Sequence, residues 1–209
     1  FLLSAASSGA QTLKSLPIWQ DSFDRTSPAD WLIKPVPQKA EIFRSADGRD
    51  LILYNGLLKR VFRLTPDVAC TDYKNLSNGQ QLLRAVAPEA RLEINGRVYH
   101  VGGLKGQAEK AYLRPEWLDA FTPLTADFKL TAVQVEPLKP LFNWKPNTWA
   151  ANLKQPSGQT LTFSYEAIAP EIAGLEVQVY YELYDGLPLI VKGLVLENKR
   201  PGTLQLDRA

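Results

Sequence analysis

Asn143-Trp144-Lys145-Pro146-Asn147-Thr148-Trp149 sets two indoles, two amides and a lysine within one short, proline-stiffened run. Indole faces stack on apolar C–H faces, and neighbouring amides bond hydroxyls; together they can grip a pyranose ring. Trp144, Trp149, Asn143 and Asn147 are therefore candidate carbohydrate contacts. They would form a platform of their own or a loop reaching into a neighbouring barrel. The opposing reading is that the indoles plug a core or a domain interface. Arg114-Pro115-Glu116-Trp117-Leu118-Asp119 is a second such mixture. Arg114 and Trp117 are its candidates, and a helical turn capping the fold is the alternative.

Groups for catalysis are scarce. Glu116 and Asp119 stand three residues apart. Retaining glycoside hydrolysis needs two carboxyls about 5 Å apart, but acids at this spacing on a helical turn are ordinarily solvated surface. The one histidine, His100, lies between Tyr99 and Val101 on an expected strand and reads as a satisfied structural side chain. The one cysteine, Cys70, cannot form an internal disulfide, and Val68-Ala69-Cys70-Thr71 suits a small buried hydrophobe. There is no phosphate loop, no G-x-S-x-G elbow and no Cys/His metal spacing. Gly102-Gly103 and Gly106 make no dinucleotide fingerprint, because no strand–helix unit surrounds them. No catalytic residue, metal or cofactor is expected.

The elements that would position these groups are β-strands. The 209 residues carry a net charge of +2, with 45% hydrophobic and 22% charged residues, which excludes disorder, collagen and coiled coil. Near-neutral charge argues against nucleic acid as a partner, since phosphates are collected by a strong basic excess. No apolar run approaches the roughly 20 residues of a membrane helix, so no membrane span is expected. Turn signals punctuate short strands: Asp47-Gly48 between 40–46 and 50–54, and Asn55-Gly56 before 57–64. Further along, Asn78-Gly79 opens 80–86, and Asn95-Gly96 separates 91–94 from 97–101. Residues 68–76, 128–135 and 160–168 are strand-like, and 102–107 reads as a flexible loop. In 175–184 one face carries Leu175, Val177, Val179, Tyr181 and Leu183, and the other Glu176, Gln178, Tyr180, Glu182 and Tyr184. That is a half-buried strand. Asp185-Gly186 turns it into 187–197, which is more continuously apolar and expected to be central. Strands without intervening helices indicate an all-β, antiparallel two-sheet sandwich with long loops and one short helix near Pro115.

The chain holds no Met, and residues 1–10 are apolar and then small, like the back half of a signal peptide cut before Gln11. The alternative is a ragged N-terminus. Residues 11–39 form a leader with Pro17, Pro28, Pro35 and Pro37, expected to run over a surface and be anchored by Trp19, Trp31, Leu32 and Ile33. Residues 40–209 form the sandwich domain, and the alternation that stops after Leu206 suggests a C-terminally truncated fragment. Export follows from the signal reading: periplasmic, cell-surface or secreted, of bacterial type.

Two stretches carry a resemblance. One is Tyr54-Asn55-Gly56-Leu57-Leu58-Lys59-Arg60-Val61-Phe62-Arg63-Leu64, continuing to Lys74-Asn75-Leu76-Ser77-Asn78-Gly79. The other is Tyr181-Glu182-Leu183-Tyr184-Asp185-Gly186-Leu187-Pro188-Leu189-Ile190-Val191-Lys192, continuing to Glu197-Asn198. Together, over about residues 40–206, they resemble the N-terminal β-supersandwich of α-galactosidase-like (family 36 group) glycoside hydrolases, a domain similar to galactose mutarotase. The resemblance implies a non-catalytic domain that packs against a following catalytic barrel and shapes the substrate cleft. The nucleophile and acid/base of that family lie in the barrel, so no catalytic residue carries over. The long segments 102–126 and 137–158 depart from the shorter family pattern, which leaves the sugar open.

The resemblance and the export signal thus imply a domain of an exported, carbohydrate-degrading glycoside hydrolase, with carbohydrate and its own catalytic barrel as partners. Alternatives are a stand-alone carbohydrate-binding module, a cell-surface structural sandwich, or an independent sugar isomerase.

Overall fold

The computed structural model describes residues 13–26, 30–139 and 156–209. It is all-β, built from antiparallel sheets. β1 (Glu41–Arg44), β2 (Asp50–Tyr54), β3 (Leu58–Arg63), β4 (Ala69–Asn75) and β5 (Gln80–Gln81) make a five-stranded meander. β6 (Ala90–Ile94) and β7 (Arg97–Val101) form a hairpin, and β8 (Leu104–Lys105) pairs with β9 (Thr122–Pro123). β10 (Phe128–Pro137), β11 (Gly158–Ala167), β12 (Leu175–Tyr184) and β13 (Ile190–Asn198) make a four-stranded meander. β14 (Leu206–Arg208) adds to β6.

The five- and four-stranded sheets face each other, as period-two alternation requires of strands with one buried face. Leu51, Leu53 and Phe62 meet Leu161, Phe163, Val179 and Tyr181 in one core, which the β6–β7 hairpin joins with Leu92, Tyr99 and Val101. The Phe62 ring lies 5.3 Å from Phe163 and 4.7 Å from Tyr181. At Asn95-Gly96 both residues have positive φ, 50° and 73°, the geometry that joins β6 to β7 in a two-residue turn.

The outer face of the five-stranded sheet has its own cover. Ile18 bridges Arg44, and Trp19 and Phe23 pack on Phe43 and Tyr54 through edge-on and stacked ring contacts. The leader therefore runs over a surface, held by Trp19. Leu32 and Ile33, expected as anchors, are 74% and 83% exposed. They follow Asp30, whose side chain and backbone close a turn there, and that turn directs them outward. The strand over 187–197, expected to be central, begins at Ile190 and pairs only with β12 among the described residues. It is an edge strand, and its apolar inner positions Ile190, Leu194 and Leu196 pack only partly on the core. Residues 102–107 are not wholly loop, since Leu104–Lys105 pairs with Thr122–Pro123.

Candidate functional site

The two motifs that carry the family resemblance meet. Asn55 is fully buried between β2 and β3. Its Nδ2 donates to the carbonyls of Tyr184 (2.8 Å) and Leu187 (2.7 Å), 129 and 132 residues away in the chain. Its Oδ1 accepts from the backbone N–H groups of Leu57 and Leu58. Asp185 completes the corner, accepting from the Ala40 N–H (2.7 Å) and the Ser157 hydroxyl (2.6 Å). One amide thus locks the β2–β3 turn to the β12–β13 turn, and a carboxylate ties in the end of the leader and the start of β11.

A groove of about 690 Å³ crosses the outer face of the five-stranded sheet. Alternation puts Lys59, Val61 and Arg63 of β3 on this face, while Phe62 points to the core. Across the strands Arg63 stands opposite Asp50, Val61 opposite Asp72, and Lys59 opposite Lys74. Like charges opposed in this way repel unless bridged. Asp24 of the leader bridges them, bonding both Lys59 and Lys74, and Asp72 reaches Lys59 at 2.8 Å. Burial pushes Lys59 down, but these two carboxylates outweigh it and hold the ammonium above its ordinary range.

At the other end Arg63 bonds Asp50, and Arg49 reaches Asp119 at 2.7 Å. Asp119 comes from the 3₁₀ turn Pro115–Ala120, which starts on Pro115 because that residue presets φ and lacks the N–H a first turn would leave unpaired. Hydrogen bonds and charge from Arg49, then Arg63, hold the Asp119 carboxyl below its ordinary range. Gln81 donates to Asp72 at 2.6 Å. Tyr112, 69% exposed, lines the same groove with Leu113 and Pro115, and Arg84 stacks 5.0 Å from its ring.

The groove is charged yet neutralised. Each cation is matched by a carboxylate, so no net field selects an anion or a cation. What remains is a fixed array of donors and acceptors beside apolar surface, which suits a neutral polyhydroxylated ligand. General acid catalysis needs a carboxyl raised toward neutrality. Asp119 and Asp24 are lowered. The one carboxyl clearly raised among the described residues, Asp67, at about 6 by burial, is not among the residues lining the groove.

Of the residues singled out in the sequence, Trp144, Trp149, Asn143 and Asn147 lie outside the described residues. Their run joins β10 to β11, whose facing ends Pro137 and Gln159 adjoin the Asn55–Asp185 corner through the Gly158–Tyr184 pair. Trp117 is half-buried against the small cluster of Ala69, Leu104 and Phe121. Arg114 lies 5.6 Å from its ring and 3.7 Å from Glu116. Neither lines the groove, whereas their neighbours Pro115, Leu118 and Asp119 do. His100 sits half-buried beside Asp127, which accepts its backbone N–H at 2.9 Å. Cys70 is buried, its thiol pushed up to about 11 chiefly by burial.

Sequence reasoning missed the groove's Arg49, Lys59, Arg63 and Asp72. The signal was the interrupted alternation of β3, where two charged residues share a face with Val61. It also missed an interior network. Glu89, buried, accepts from the Tyr181 hydroxyl and the Cys70 N–H, with Lys192 Nζ at 3.5 Å and Arg60 4.7 Å from the Tyr181 ring. This network joins both sheets and is structural. Among the described residues no group of three or more His, Cys, Asp or Glu could hold a metal, and no helix is long and apolar enough to cross a membrane. Comparison with family models, curated proteins and solved structures returned no match.

Proposed function

We propose that this chain is a non-catalytic β-sandwich domain of an exported, carbohydrate-degrading glycoside hydrolase, and that the groove on its five-stranded sheet contacts the saccharide. The observation that carries the reading is the groove. It holds nearly buried Lys59 and Arg63, fixed carboxylates and an exposed tyrosine, with its charge balanced. Sugar hydroxyls are bonded well by such arrays, and a neutral ligand loses nothing to an unbalanced field.

The assignment to a glycoside hydrolase rests on the resemblance. The Asn55–Asp185 corner supports it, because the two stretches that carry the likeness act as one structural unit. In that setting the sandwich braces a catalytic barrel. Reading the coding region beyond the Ala209 codon tests this part. A barrel-length stretch of alternating strands and helices, with acidic residues at strand ends, is the expected result. A stop within a few codons overturns the enzyme-domain reading.

A further inference from the structure

A second concavity, of about 480 Å³, opens where the leader crosses the β2–β3 corner. Its apolar walls are Phe23, Tyr54, Pro35 and Pro37. Arg25 and Lys34 also line it, and no lining residue is acidic. Both cations are exposed and have no carboxylate partner among the described residues, unlike Arg49, Lys59, Arg63 and Lys74 in the groove. Asp24, whose charge reaches Tyr54, is already neutralised by Lys59 and Lys74.

Two polar groups complete the pocket. Tyr54 is 8% exposed and lines the pocket. Gln38 packs over Gly56, where a Cβ would lie 2.9 Å from the Gln38 side chain. Gly56 has a φ of +80°, so the close approach and the backbone conformation both call for glycine.

We propose that this pocket binds the carboxylate-bearing ring of a uronic acid residue within a saccharide. Arg25 and Lys34 take the carboxylate, the aromatic and proline walls take the C–H face, and the Tyr54 hydroxyl and Gln38 amide take ring hydroxyls. A bare sulfate or phosphate would use the cations and leave the apolar walls idle. That the ligand is a sugar rests on the proposed function; that it is anionic rests on this pocket alone.

The test is an amide chemical-shift titration of the chain with D-glucuronate, D-glucose, sodium sulfate and a neutral oligosaccharide panel. It is run on the parent protein, the double variant R25Q/K34Q and the groove variant Y112A. The substituted residues are exposed, so the variants fold. Glucuronate is expected to shift the Tyr54 and Gly56 amides, with binding about tenfold weaker in R25Q/K34Q and unchanged in Y112A. Raising salt from about 25 to 300 mM weakens it further, because exposed charges are screened. No glucuronate response at these amides, an equal response to sulfate, or full affinity in R25Q/K34Q overturns the inference. Neutral oligosaccharides shifting the groove without glucuronate at the pocket would overturn it and leave the proposed function standing. Glucuronate at the pocket with nothing in the groove would overturn the groove's role in saccharide contact and leave the anionic pocket standing.

Discussion

Replacing Asn55 by alanine removes four hydrogen bonds at once from a fully buried position, at 2.7 to 3.0 Å. Two carbonyls and two N–H groups lose their partner where little water can reach. At about 1 kcal/mol net for each bond, the loss is about 4 kcal/mol. Against a total stability of about 5–15 kcal/mol, the variant folds but is gravely weakened. For a domain of this size each kcal/mol lowers Tm by about 2–4 °C, so Tm should fall by about 8–16 °C. Urea denaturation followed by circular dichroism measures the free energy directly. Asn55→Asp keeps the acceptor oxygen but aims a second oxygen at the Tyr184 and Leu187 carbonyls, and should do no better. Asn78→Ala, which removes one exposed bond to the Gln80 N–H, is the control and should cost under about 1 kcal/mol. A loss for Asn55→Ala within about 1 kcal/mol of that control would refute the claim that this amide locks the two turns together.

Three further outcomes are expected. Burial raises the Asp67 carboxyl to about 6, so its favourable contribution is complete below the unfolded value near 4 and is lost as pH rises through 6. Asp67→Asn keeps the acceptor for the Val68 N–H. It should stabilise the domain by about 1 kcal/mol at pH 7.5, after discount for partial exposure, and by nothing at pH 4; denaturation at both pH values checks this. Burial pushes Asp24 up, but hydrogen bonds and charge from Lys59 and Lys74 win and leave it below its ordinary value. Its contribution is therefore present above the unfolded value near 4 and lost on further acidification, so near-UV circular dichroism should show the Trp19–Phe23 cover loosening below about pH 4. Asp24→Asn should show the same loosening at pH 7. Cys70 should resist iodoacetamide in the folded protein at pH 8 and react fully in urea, because the thiol is buried and raised to about 11; rapid native labelling would contradict its placement.

The sheet was legible wherever local chemistry dictates geometry. Asn95-Gly96 announced the β6–β7 hairpin because few other pairs accept two positive φ values, and Asp50–Tyr54 lies where its flanking turns put it. The Leu175–Tyr184 alternation gave the buried face residue for residue, and Glu182 on the other face is also buried, receiving the Tyr184 hydroxyl. Central and edge strands were not distinguishable, because apolar content reports burial on a face and not pairing at an edge. Ile190–Asn198 shows the difference. The groove was hidden for a different reason. Its charges come from Arg49, Asp50, Lys59, Arg63, Asp72 and Asp119, dispersed along the chain and assembled only by strand register and a 3₁₀ turn. Asn55 before Gly56 reads locally as turn chemistry, and nothing local reveals that its amide reaches Tyr184.

Saccharide contact by the groove is tested by calorimetric titration of the chain with neutral oligosaccharides, beside the variants Asp119→Asn and Tyr112→Ala. Both side chains are exposed in the groove, so neither change should move Tm by more than about 2 °C. Saturable binding by at least one neutral oligosaccharide is expected, weakened about tenfold or more by each substitution. Binding that ignores both substitutions, or no binding across the panel, would contradict it.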